Sequence, residues 1–156
     1  MDKALVAMLA CSIFFVSPSA FAQAMDAKAD CNKDAVDWMA AYNKGDAEAI
    51  ANVYDPNSGS YSDLFWTATG HDALLAGFKK QMSDGGELTS IVCDHSNRMG
   101  SKTVADGTWA GKAKGPDGKE ASFQGHWMTV SEIHDGKSVV LTHVSNMDAL
   151  PPSAPK

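Results

Sequence analysis

The stretch Trp38 to Tyr54, WMAAYNKGDAEAIANVY, decides the fold. It reads as the end of one helix, a sharp break at Lys44-Gly45-Asp46, and a second helix that starts at once. Gly45 supplies the left-handed residue that ends a helix. Asp46 supplies a side-chain acceptor for the free amides of the next first turn. Two joined helices with apolar faces need a broad surface to lie on, and the residues after Ser58 have the pattern of a sheet.

Upstream, Asp26 to Lys44 reads as the first helix, with Cys31, Ala35, Trp38, Met39 and Tyr42 at helical spacing and Asp30 or Asn32 as its cap. Asp46 to Tyr54 is the second, its buried stripe Ile50, Val53 and Tyr54. Asp55-Pro56-Asn57 ends it. Ser58 to Phe65 is a short strand or an extended loop. His71 to Met82 is a third helix with Leu74, Leu75, Phe78 and Met82 on one side. After Gly85-Gly86 the apolar period changes to two. Strands are expected over Leu88–Asp94, Thr103–Lys114, Ala121–His134 and Ser138–Met147, with turns at Asn97–Ser101, Gly115–Gly118 and Asp135-Gly136. Helices followed by an antiparallel meander make an α+β domain. Gly107 and Gly111 mark bends that let the sheet wrap the helices and leave a pocket.

The chain has 156 residues, 44% of them hydrophobic and 21% charged, which suits one domain with a real core. A net charge of −6 argues against a nucleic-acid partner. Lys3, the apolar run Ala4–Val16 and the small-x-small sites ending at Ala22 and Ala24 read as a secretory signal peptide over residues 1–24. The mature domain is expected over 25–147, followed by a loose proline-rich tail, 148–156, and no membrane association once the leader is cut. Cys11 falls inside the leader. Cys31 and Cys93 remain, either joined as a disulfide in an oxidising compartment or buried as separate thiols.

Trp38 to Asp46, then Tyr54, Asp63, Gly70 and the closing hairpin, resemble the nuclear transport factor 2-like superfamily, and most of all its SnoaL-like and ketosteroid-isomerase-like domains. The shared feature is an aromatic-x-x-x-aromatic-x-x-Gly-Asp helix end ahead of an alanine-rich helix. It covers about Asp30 to Asn146. The resemblance implies a cone-like α+β barrel: three helices packed in a strongly curved antiparallel sheet, with a cavity at the open end and dimers through the sheet. It also places Asp63 near the general base of the isomerases. A carboxylate beside Tyr61, Leu64, Phe65 and Trp66 suits that role when partly desolvated; a solvated loop aspartate is the competing reading. The isomerases' oxyanion groups do not carry over, because Trp38 stands where their first helix offers a hydroxyl and His126 or Met128 where a protonated aspartate would be. Steroid isomerisation is therefore not expected.

A two-residue turn at Asp135-Gly136 sets the last hairpin so that Val130 faces Leu141, Met128 faces His143 and His126 faces Ser145. That side, with Val139, is the more apolar and is placed inward. Trp127, Thr129, Ser131, Val140, Thr142 and Val144 then face solvent or a second subunit. His126 and His143 read either as core histidines or as proton carriers. A metal held by both with Asp63 has no supporting ligand spacing, and no metal or cofactor is expected. His71, His95 and His134 fall at element ends, and Trp66 and Trp109 read either as a pocket rim or, the better reading, as packing.

Three functions compete. The first is a periplasmic or secreted domain binding an apolar or aromatic small molecule, its pocket lined by Trp38, Tyr42, Tyr54, Tyr61, Phe78, Met128, His143 and Ser145. The second is a cofactor-independent isomerase or cyclase moving protons with Asp63 and His126 or His143. The third is a non-catalytic module that forms a homodimer through the outer sheet face.

Overall fold

The computed structural model describes residues 18–114 and 118–149, with side chains from Ala27 onward. Residues 1–17 of the expected leader, most of the Gly115–Gly118 turn and tail residues 150–156 lie outside the described residues. The order is α1 (Pro18–Lys44), α2 (Ala47–Ala51), β1 (Ser60–Ser62), β2 (Thr67–Thr69), α3 (His71–Ser83), β3 (Glu87–Met99), β4 (Lys102–Lys114), β5 (Glu120–His134) and β6 (Lys137–Ser145). Three helices pack against one six-stranded sheet of order β2-β1-β6-β5-β4-β3. This is the cone-like α+β architecture.

The break that organises the chain has the expected chemistry. Gly45 sits at φ 73°, and Asp46 caps α2 by accepting from the Ala49 amide at 2.9 Å. α1 begins at Pro18 rather than Asp26. Nothing in between breaks a helix, and proline is tolerated in a first turn. Neither Asp30 nor Asn32 therefore caps it. α2 stops at Ala51, because the chain must turn to bring Tyr54 beside Val140 as a parallel bridge. The Val140 amide donates to Val53 O at 2.8 Å, and its carbonyl accepts from Asp55 N at 2.9 Å.

Ser58–Phe65 resolves into β1, which turns through Asp63 into the separate strand β2. β1 pairs parallel with β6, so Tyr61 lies beside His143. β3 runs past its expected end at Asp94 to Met99, carrying bulges at Leu88/Ser90 and Cys93/His95. Two asparagines of α1 answer those bulges. Asn43 bonds both backbone groups of Leu88, and Asn32 accepts from the Cys93 amide at 3.2 Å. Cys31 and Cys93 form a disulfide, with Cα atoms 6.0 Å apart, that fixes the front of α1 to β3.

Two apolar clusters fill the space between helices and sheet. The larger joins Tyr42, Ile50, Ala51, Tyr54, Tyr61, Leu74 and Phe78. The smaller joins Ala35 of α1 to Cys93, Ala105 and Trp127 of the sheet. Leu74 and Phe78 are both 0% exposed, and each contributes about 2 kcal/mol by leaving water. Gly107 makes room for Trp127: a Cβ there would stand 1.9 Å from the Val92 carbonyl and 2.9 Å from the indole.

Candidate functional site

The site forms where β6, β1 and the helix pair converge. His143 is half-buried, and its Nδ1 shares a 2.8 Å hydrogen bond with the Tyr54 hydroxyl. Four rings surround the imidazole: Tyr61 at 5.0 Å, Trp38 at 5.9 Å, Tyr54 at 6.2 Å and Trp127 at 6.4 Å between centroids. Removal from water pushes the His143 pKa down to about 4, so the ring is neutral at ordinary pH. Burial also raises Tyr54, which the neighbouring Trp38 indole opposes only in part. Two neutral groups share the bond, so Tyr54 sets the ring's orientation without charging it.

Tyr61 reaches the other way. Its hydroxyl donates to Asp63 Oδ2 at 3.0 Å, while Asp63 Oδ1 accepts from the amides of Phe65 at 2.7 Å and Trp66 at 2.9 Å. Burial, then the Asp63 charge, raises the Tyr61 pKa, with Gln81 acting in the opposite sense. Tyr42 is raised by burial and then by Asp63, and its ring stacks on Trp38 at 5.5 Å. The Asp63 carboxylate thus builds the β1–β2 turn, which occupies the oxygen it would need as a base. Tyr61, whose hydroxyl it accepts from, meets His143 only ring to ring.

The expected hairpin faces are wrong for β5. Pairing follows the two-residue turn from His134/Lys137 to Ser131/Val140, after which a bulge at Leu141 adds one residue to β6. Beyond it Thr129 faces His143 and Trp127 faces Ser145. Trp127, Thr129, Ser131 and Val140 accordingly face the helices, and His126 and Met128 face out. His143 and Ser145 are inward because the bulge reverses the parity of β6. His126 and His143 lie on opposite faces of the sheet, so they cannot share a proton or a metal. No cluster of three metal-ligating side chains occurs among the described residues.

Outside, His126 and Met128 line a cavity of about 240 Å³ with Asp106, Trp127, Val144 and Asn146. His126 pairs with Asp148 at 3.5 Å, and Asp106 with His95 at 2.9 Å. Inside, the expected pocket residues Trp38, Tyr42, Tyr54, Tyr61, Phe78 and His143 do converge, but their rings touch one another rather than border a wide hollow.

Sequence reasoning missed Gln81, placed Trp127 on the outer face, and preferred packing to a pocket rim for Trp66. Gln81 follows Leu74 and Phe78 at helical spacing on α3, a signal that was readable. Buried polar atoms without a partner include Trp38 Nε1, Trp66 Nε1 and Gln81 Oε1. All three residues adjoin the aromatic cluster around Phe78 and Tyr61.

A family model described as a SnoaL-like domain matches residues 35–141. No curated protein matches the chain. Among solved structures, it is similar to a nuclear transport factor 2-like superfamily protein from Salmonella enterica, with TM-score 0.67 and 13% identity over 83% of this chain and 96% of that one. A nuclear transport factor 2-like protein with a cystatin-like fold from Novosphingobium aromaticivorans gives 0.65 and 16% over 83% and 87%. An uncharacterized protein with a cystatin-like fold from Caulobacter vibrioides gives 0.60 and 16% over 81% and 91%. At these identities the likeness shows the fold.

Proposed function

The chain belongs to the SnoaL-like domain family, and on that premise we propose that it is a secreted domain that binds a neutral apolar or aromatic small molecule beside the His143 cluster. One observation carries this reading: a buried indole donor, Trp66 Nε1, and a buried acceptor, Gln81 Oε1, lack partners around a single aromatic cluster, and the Trp38 indole beside the Tyr54 hydroxyl makes no hydrogen bond of normal geometry. Dry polar atoms are costly unless something bonds them. A ligand with an oxygen acceptor and an apolar ring answers both needs.

Thermal-shift screening against neutral aromatic compounds tests it, with Trp38→Phe as the matched variant. A binder should raise Tm in the parent and lose at least tenfold in affinity in the variant. No shift across the library, or an unchanged affinity in Trp38→Phe, defeats the proposal.

A second reading rests on the His143–Tyr54 bond. A neutral imidazole held by the Tyr54 hydroxyl can accept a proton, though weakly at a pKa of about 4, and the alternative function is cofactor-independent proton transfer with His143 as base and the Asp63 carboxylate beyond Tyr61. Loss of turnover in His143→Gln with the fold kept would support it; full activity in that variant would end it. The leader reading and the Cys31–Cys93 disulfide favour an oxidising compartment, periplasmic or extracellular. N-terminal sequencing of the protein from its host should begin at residue 23 or 25. The outer face, with Val92, Met128 and Val144 each more than two-fifths exposed, suits a homodimer, which sedimentation at micromolar concentration would detect.

A further inference from the structure

We propose that residues 27–37 of α1, the described side chains ahead of Trp38, form a strap latched over the sheet by Cys31–Cys93, and that reduction of this bond by an external dithiol opens a path to His143. The proposal rests on the ligand-binding reading, since it concerns access to the same site.

Among the described side chains, this segment has little else holding it. Its buried residues are small: Ala27 and Ala35, with Cys31 half-buried. Lys28, Asp30, Lys33, Asp34, Val36 and Asp37 face water. Lys28 Nζ donates to Asp94 O at 3.0 Å, Cys93 N donates to Asn32 Oδ1 at 3.2 Å, and Arg98 lies 3.8 Å from Asp30. The Lys28 and Arg98 ties are exposed and contribute little, which leaves the part-buried Asn32 bond as the stronger of the three. Residues 38–44, by contrast, carry Trp38 and Tyr42 into the core and the paired bonds of Asn43.

What lies beneath the strap is partly polar. Ser96, Ala105, Thr129 and His143 follow one another across β3, β4, β5 and β6 on the inner face. Ala35 packs on this wall at Cys93, Ala105 and Trp127. The Ser96 hydroxyl is buried there with no partner. Closure therefore keeps a hydroxyl dry that lifting the strap would hydrate, which lowers the cost of opening once the covalent tie is gone.

The exchange balances. A dithiol thiolate attacks the half-exposed Cys31 sulfur and the S–S bond breaks, with Cys93 leaving to take up a proton. The second dithiol sulfur then closes on the mixed disulfide and releases Cys31 as a thiol. Two electrons and two protons pass to the protein, and the dithiol leaves as its own disulfide.

Hydrogen exchange by mass spectrometry on the oxidised and dithiol-reduced protein tests the strap. Amides of residues 29–37 should exchange at least tenfold faster after reduction, while those of α3 and residues 40–44 stay unchanged. Cys31→Ala should give the same pattern without reductant. An unchanged rate, or an equal rise throughout the domain, overturns the proposal. Access is read separately by diethyl pyrocarbonate modification of His143, which should quicken at least fivefold on reduction; no change there refutes the path. Neither readout uses a ligand, so the outcome is independent of the screen described above.

Discussion

Asn43 of α1 holds Leu88 of β3 through both halves of its amide: Nδ2 donates to the Leu88 carbonyl at 2.8 Å, and Oδ1 accepts from the Leu88 amide at 2.9 Å. The side chain stands in for a neighbouring strand at the edge of the sheet. Asn32, three helical turns earlier, does part of the same at Cys93. About 16 Å of helix rise separates the two asparagines, close to the length of strand between their targets. Free strand edges invite pairing with other chains, and here a helix closes the edge.

Asn43→Ala should cost about 1 kcal/mol, because the freed Leu88 groups can still reach water. Urea unfolding measures it. The variant should also associate more readily at high concentration, read by light scattering, whereas Lys33→Ala on the exposed side of α1 should do neither.

Stability should fall as acid is added through the range from about pH 6.5 down to about 4. His143 stays neutral in the native state over that range, while in the unfolded chain it takes up a proton, so unfolding binds protons and acid favours it. The full effect of His143 is about 3 kcal/mol. His143→Gln should remove that part of the pH dependence, measured by denaturant titration at each pH.

All three tyrosines of the chain, Tyr42, Tyr54 and Tyr61, have raised pKa values with burial as the leading cause. Titration followed by phenolate absorbance should therefore show almost no ionisation in the native state at pH 10. The phenolate signal should appear together with loss of circular dichroism at higher pH. Each tyrosine supports the fold below pH 10 and ceases to as pH rises further, because the unfolded chain ionises first.

Gly107→Ala should cost more than about 3 kcal/mol, since its Cβ would meet the Val92 carbonyl at 1.9 Å and the Trp127 indole at 2.9 Å. Gly100→Ala, with open space around it but φ at 66°, should cost only about 1 kcal/mol. Calorimetric Tm values separate the two.

The helix break at Gly45-Asp46, the third helix and the Asp135-Gly136 turn were legible because local chemistry fixes them. At the turn, Asp135 and Gly136 both take positive φ, 50° and 78°. The faces of the last hairpin were not legible. One unpaired residue, Leu141, reverses the alternation on β6, and apolar residues on both sides of the strands hid which face was buried. Asp63 was found, but its duty in a turn depends on where the amides of Phe65 and Trp66 come to lie. The parallel pairing of β1 with β6 leaves no local trace, since the partners are some eighty residues apart.

That pairing has a consequence for biogenesis. β6 follows every other element in the chain, yet it lies between β1 and β5 in the sheet. Until it emerges from the ribosome, the early hairpin and the long meander have no common partner. Contacts of such long range form slowly. The sheet therefore closes last, when the end of the chain is inserted between its first and middle strands.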